Sequence, residues 1–173
     1  MVVELDRKLA RITEAHYGVF TREQAVGLGF SESACDRRVA VGAWESVHRG
    51  VYRLGGSGRT FEQSVLAACL AAPGAHASHE TAAILWNVRN TAPSLHIMVP
   101  AFRRVQLAGV AVHRARCLPE EDRKVRRGIP VTSLPRTIID IAAELPRVEL
   151  VSLLDHVLAK RRIPLRSWQP GYG

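Results

Sequence analysis

An α+β fold is predicted for this chain by three features of its sequence. Residues 19–54 read as two short capped helices followed by a two-stranded ribbon, a glycine-rich break follows at Gly55-Gly56-Ser57-Gly58, and helix and strand patterns then alternate from residue 60 to about 162. The first unit, residues 1–55, has the plan of a winged helix-turn-helix. The second, residues 60–162, has that of a small mixed α/β domain, and a disordered tail is expected over 163–173.

Residues 4–17 carry Leu5, Leu9 and Ile12 on one face and end at Gly18, which predicts a first helix covering the backs of the next two. Thr21 is placed to N-cap the second helix, with Gln24 completing a capping box and Phe20 stapling to Ala25. That helix runs to about Leu28, and Gly29 supplies the left-handed residue that ends it. Ser31 then caps the third helix, Ser31 to Val41, with Phe30 stapling to Cys35. A short glycine-containing turn between two such helices is the geometry in which the second helix lies in the DNA major groove.

The helical period orients this candidate recognition helix. Cys35 and Val39 form its inward stripe, and Ser33, Arg37 and Ala40 lie roughly opposite. Arg37 suits the O6/N7 pair of guanine, while Ser33 can donate or accept almost anywhere. Asp36 and Arg38 sit on the flanks, Arg38 towards phosphate. Trp44 to Val47, His48-Arg49-Gly50 and Val51 to Leu54 read as strand, turn and strand, a wing with His48 and Arg49 at its tip and Trp44 and Tyr52 packing it onto the helices. The expected DNA-contacting set is Thr21, Arg22, Ser31, Ser33, Arg37, Arg38, His48, Arg49 and Arg53. The competing reading is a small helical domain with a hairpin that binds protein or nothing, since Glu32, Asp36 and Glu45 are interleaved with the arginines. Caps, turn length and wing arriving in the right order favour DNA.

The stretch VFTREQAVGLGFSESACDRRVAVGAWESVHRGVYRL resembles the N-terminal winged-helix domain of AbiEi-type antitoxins, from abortive-infection toxin-antitoxin systems, in the form common in actinobacteria. The likeness continues through ASHETAAILW, LHIMVP, VAVHRARCLPEED and GIPVTSLPRTIIDIAAEL, over roughly residues 5–160, and its most specific pieces are RGVYRL and GIPVTSLPRTIIDIA. The resemblance implies an autorepressor that binds double-stranded DNA repeats in its own promoter. It also implies the antitoxin of a type IV system opposing a nucleotidyltransferase toxin, with that role carried by the second domain and without necessary contact. In many relatives a nuclease-like domain akin to very-short-patch-repair endonucleases follows the shared region, and this chain stops first. The alternative reading is therefore the DNA-targeting N-terminal part of such an endonuclease lacking its catalytic domain.

Bulk properties agree with a polyanionic partner. The formal net charge is +8 and the isoelectric point about 10.2, while 47% apolar content is that of a globular chain. The longest apolar run, SVLAACLAA, falls short of the roughly 20 residues of a membrane span, and MVVELDRK lacks the pattern of a secretion signal. A cytoplasmic protein without membrane partners is expected. Cys35, Cys69 and Cys117 are odd in number and far apart, which argues against a disulfide framework or CxxC motif and reads as buried or semi-buried thiols.

In the second unit, Thr60 opens a helix with Gln63 in the capping-box position, and Phe61, Val65, Leu66, Cys69 and Leu70 are spaced so closely that most of its circumference must be covered. His76 and His79, with Glu80, are the only histidine pair at helical spacing. No complementary ligand cluster is evident beside them, so Ser78 is read as an N-cap and no metal or cofactor is expected. Leu95 to Val99 and Val110 to His113 read as strands joined by a loop carrying Phe102-Arg103-Arg104. Residues 114–127 are mostly polar, either an extension of the phosphate-binding surface or a solvated loop. Gly128 to Thr132 leads into a helix with Pro135 in its first turn, buried through Ile138, Ile141, Ala142 and Leu145 and broken by Pro146. A last helix follows through Val151, Leu154 and Leu158, with Lys160, Arg161 and Arg162 at its negative end.

No catalytic constellation is visible, so no enzyme is expected. Glu120-Glu121-Asp122 lacks a preceding buried strand to aim its carboxylates at one cation, Asp140 and Asp155 sit on helices where arginines can pair with them, and no phosphate-binding glycine motif occurs. No dimerisation seam is visible either, which leaves the oligomeric state open.

Overall fold

A computed structural model describes residues 2–56, 58–89 and 94–159. The expected tail over 163–173 and the cluster Lys160, Arg161 and Arg162 lie outside the described residues. The first lobe comprises α1 (Val2–Glu14), β1 (Val19–Thr21), α2 (Arg22–Gly27), α3 (Glu32–Ala40), β2 (Trp44–His48) and β3 (Val51–Leu54). Its helix boundaries follow the caps. The Thr21 hydroxyl accepts from the Gln24 amide while the Gln24 side chain accepts from the Thr21 amide, and the Ser31 hydroxyl accepts from the Ala34 amide. The strands form an antiparallel sheet in the order β1-β3-β2. β1 is not among the expected strands, since three residues ending on the cap Thr21 are too few to show alternation.

Leu9, Phe20, Ala25, Phe30, Cys35, Trp44 and Tyr52 form the core of this lobe, so both staple pairs close. Trp44 meets the edges of Phe20 and Phe30 at centroid distances of 4.8 and 5.3 Å. Each such contact contributes about 0.5–1.5 kcal/mol beyond the area buried. The wing is therefore anchored at its base by aromatic packing.

The helix α4 (Phe61–Ala71), N-capped by Thr60, joins the lobes. Ala67 packs with Val19 and Val51 of the first lobe, whereas Val65, Leu66, Ala68 and Cys69 enter the core of the second. This two-sided burial is the reason for the helix's dense apolar pattern. The glycine break is not a loose tether at its start. A Cβ on Gly55 would lie 2.3 Å from the Gly42 carbonyl oxygen, and the Gly55 amide donates to the Ala43 carbonyl.

The second lobe holds β4 (His76–Ala77), α5 (His79–Leu85), β5 (Leu95–Pro100), β6 (Val110–Ala115), β7 (Arg123–Arg126), β8 (Ile129–Thr132), α6 (Leu134–Ala142) and α7 (Arg147–Ala159). Its mixed sheet has the order β6-β5-β4-β8-β7. The predicted pair β5 and β6 runs parallel, from Leu95 opposite Val110 to Pro100 opposite Ala115. In this register His96, Met98, Ala111 and His113 share one face of the sheet.

Three expectations are corrected here. Part of the polar stretch 114–127 is not a loop: Arg123–Arg126 is an edge strand paired with β8, its charged side chains blunting the edge against further pairing. On α7 the buried residues are Leu153 and Val157, while Val151 is half exposed and Leu158 is 38% exposed, because the helix rolls to meet Ile138 and Ile141 of α6. Cys117 is exposed, unlike the buried Cys35 and Cys69. Asp140 does pair with an arginine, accepting from Arg136 at 2.7 Å.

Candidate nucleic-acid interface

The outer face of α3 is open. Ser33, Arg37 and Ala40 are exposed, while Cys35 is fully buried and Val39 packs against the core, as the helical period requires. Arg37 makes no ion pair among the described residues, so its guanidinium is available to an outside acceptor. Ser31 and Ser33 hydroxyls lie 3.2 Å apart, and Ser31 is committed to the cap. Thr21 is likewise committed to its own capping box.

The flanking arginines behave differently. Arg22 pairs with both Glu32 and Asp36 of α3 and donates through Nε to the Tyr52 hydroxyl at 2.9 Å. These contacts, that with Asp36 foremost, push its pKa further up, so its charge is permanent. Arg22 thus cancels the two carboxylates beside Arg37 and fixes the angle between α2 and α3. Arg38 is turned back, pairing with Asp6 of α1 at 3.0 Å and stacking on Phe30 with its guanidinium carbon 4.5 Å from the ring centroid. Arg53 is 7% exposed. It pairs with Glu45 and donates to Gln63 of α4, whose amide in turn donates to the Tyr17 carbonyl at 2.7 Å. The structure therefore engages both arginines with the scaffold itself, Arg38 partly covered and Arg53 buried. Arg53 belongs to the expected DNA-contacting set, but the packing of α4 against the sheet covers it.

At the wing, the two-residue turn Arg49-Gly50 leaves Arg49 exposed, with Gly50 in the left-handed region at φ 73°. The Gly50 carbonyl accepts from the Arg22 amide at 2.8 Å, which ties the tip to α2. His48 is half-buried, and burial lowers its pKa, which favours the neutral ring. Ser31, Ser33, Arg37 and Arg49 are thus the exposed members of the expected set, Ser31 being engaged as the cap of α3.

A second group of polar side chains lies in the other lobe. His79, His96 and His113 come together, although no complement to His79 was visible in the sequence, and His76 lies apart from them. The His79 and His113 rings stack at 3.6 Å, and His96 Nδ1 lies 2.9 Å from His113 Nε2. Burial, then the neighbouring His113, pushes His79 down to about 4. His96 and His113 occupy adjacent strands, and their proximity depends on the β5–β6 register, which a single sequence does not display.

Among the described residues, no helix is long and apolar enough to cross a membrane. No curated protein matches the chain. Two family models do: a transcriptional regulator model of AbiEi antitoxins matches residues 7–55, and an AbiEi antitoxin C-terminal domain model matches residues 66–163. The first match spans the whole cap, turn and wing arrangement, and the second runs from within α4 beyond α7. The chain belongs to the AbiEi antitoxin family of transcriptional regulators.

Proposed function

We propose that this chain is a sequence-specific DNA-binding autorepressor and the antitoxin of a type IV toxin-antitoxin system whose toxin is a nucleotidyltransferase. The observation that carries the DNA-binding part is the outer face of α3, where exposed Ser33 and Arg37 stand on successive turns of a helix held by its cap, its buried Cys35 and the Arg22 clamp. In this reading α3 enters the major groove, with Arg37 donating to guanine O6 and N7 and Ser33 contacting a neighbouring base. Arg49 meets the phosphate backbone from the wing. The net charge of +8 supplies the sequence-independent attraction. Residues 1–55 act as the DNA-binding unit and residues 60–162 carry the antitoxin role, in the cytoplasm where promoter and toxin are both found.

The test is a fluorescence-anisotropy titration against the chain's own upstream region and a shuffled duplex at two salt concentrations. Tighter binding to the native duplex, weakening as salt rises, is expected. Equal binding to both duplexes would remove sequence-specific autorepression. Loss of growth rescue when the chain is co-expressed with the neighbouring nucleotidyltransferase would remove the antitoxin assignment.

A further inference from the structure

We propose that His79, His96 and His113 form a binding site for one first-row transition-metal ion of the zinc class, independent of the DNA-facing surface. One ring nitrogen from each residue lies within 4.8 Å of the other two. With metal–nitrogen bonds of about 2.0–2.1 Å, tetrahedral ligand atoms sit about 3.3 Å apart. His96 Nδ1 and His113 Nε2, at 2.9 Å, are already close to that spacing. An ion drawn between them replaces the hydrogen bond they share, and closing the remaining separation from 4.8 Å to that spacing asks the third nitrogen to move by up to about 1.5 Å. His79 turns about its side chain to join them, giving up its stack on His113.

The surroundings suit a ligating role. Metal-binding imidazoles hold their other ring nitrogen in a hydrogen bond that sets the tautomer and the ring direction. Here His79 Nδ1 is 3.0 Å from the Ser78 hydroxyl, leaving Nε2 for the ion, and His96 Nε2 is 2.9 Å from the Ser94 hydroxyl, leaving Nδ1. For His96 this free nitrogen is the one that faces His113. The backbone adds an independent observation: His79 opens α5 at φ 49°, a left-handed conformation that a residue with a Cβ adopts at a cost of about 1–3 kcal/mol. That conformation sets the ring over His113. The nearby cation Arg136, which reaches Met98 on the same sheet face, is paired with Asp140. Three imidazoles without a thiolate select zinc, cobalt, nickel or copper over magnesium or calcium. Three protein ligands with His96 and His113 only partly covered leave a fourth position for water or a ligand of the second lobe's own.

The experiment uses the whole chain, freed of metal with a chelator and titrated with Co2+ and then with Zn2+. Saturation at one ion per chain is expected, with the visible absorption of tetrahedral cobalt appearing and then bleaching as zinc displaces it. His96→Gln and His113→Gln are each expected to weaken binding at least tenfold, and Ser94→Ala by about tenfold through the freed ring. His76→Gln, outside the cluster, leaves it unchanged. Circular dichroism checks that each variant is folded, and zinc is expected to raise the melting temperature of the wild type but not of His96→Gln. Absence of the cobalt spectrum in the wild type, or equal binding by His96→Gln and the wild type, overturns the proposal.

Discussion

On the outer face of α3, Arg37 stands exposed with no ion pair among the described residues, beside exposed Ser33, whereas the arginines behind and beside that helix are each turned onto a carboxylate of the protein itself. Arg22 faces Glu32 and Asp36, Arg38 faces Asp6, and Arg53 faces Glu45. All carry the same charge, and their sequence neighbourhoods look alike. Two of the inner three also rest on aromatic rings, Arg38 on Phe30 and Trp44 and Arg22 beside Tyr52. The difference shows that a basic helix-turn-helix does not offer all its positive charge to DNA. Part of it cancels acidic groups on the recognition helix and cross-links the elements that hold that helix in place.

The largest expected effect tests the innermost member. Arg53→Ala strips the Glu45 carboxylate and the side-chain oxygen of the buried Gln63 of a partner and should give the largest loss of stability in chemical denaturation. DNA affinity per folded molecule should be unchanged. A variant of normal stability with weaker binding to every duplex would move Arg53 to the outer set.

Arg37→Ala should lose about 1–3 kcal/mol on the specific site and relax preference at one base pair, measured by competition among single-substitution duplexes. Uniform weakening on specific and random DNA would mean that Arg37 only meets phosphate. Arg22→Ala should weaken binding to all duplexes, because Glu32 and Asp36 then face the phosphates uncompensated. Adding Glu32→Gln and Asp36→Asn should restore most of the loss. No recovery would make Arg22 a direct phosphate contact.

Arg49→Ala should act on the salt dependence, reducing its slope by about one. The smallest effect concerns pH. The Arg53 guanidinium holds the Glu45 carboxyl below its ordinary range. A carboxyl depressed in the folded state contributes stability above its unfolded pKa, about 4.3, and loses it as pH falls through the lower folded value. In acid denaturation, the stability difference between the wild type and Arg53→Ala should therefore be largest above the unfolded pKa of about 4.3 and narrow as pH falls through the lower folded value. Parallel curves across that window would uncouple Glu45 from Arg53.

Much of the first lobe was legible because its signals are local. Thr21 with Gln24 and Ser31 with Ala34 act within one turn, and Cys35, Val39, Ser33 and Arg37 sort by the helical period alone. The α+β class and the order of elements follow from the same short-range patterns. What those patterns left open is the destination of long side chains. Arg38 and Arg53 reach for Asp6 and Gln63, on elements whose docking is set by burial of Leu9 and Ala67. Amphipathic α7 likewise has more than one plausible apolar stripe, and only the position of α6 selects Leu153 and Val157.

By itself, the sequence determined the capped helices, the turn, the wing and the outward pair Ser33 and Arg37, because hydrogen bonds and periodicity within a few residues decide them. Tertiary structure alone decided which arginines are withdrawn from the surface and that His79, His96 and His113 meet. The physical reason is register. Once β5 and β6 pair in parallel with Met98 opposite His113, side chains far apart in the chain share one face of the sheet, and α5 brings the third ring over them.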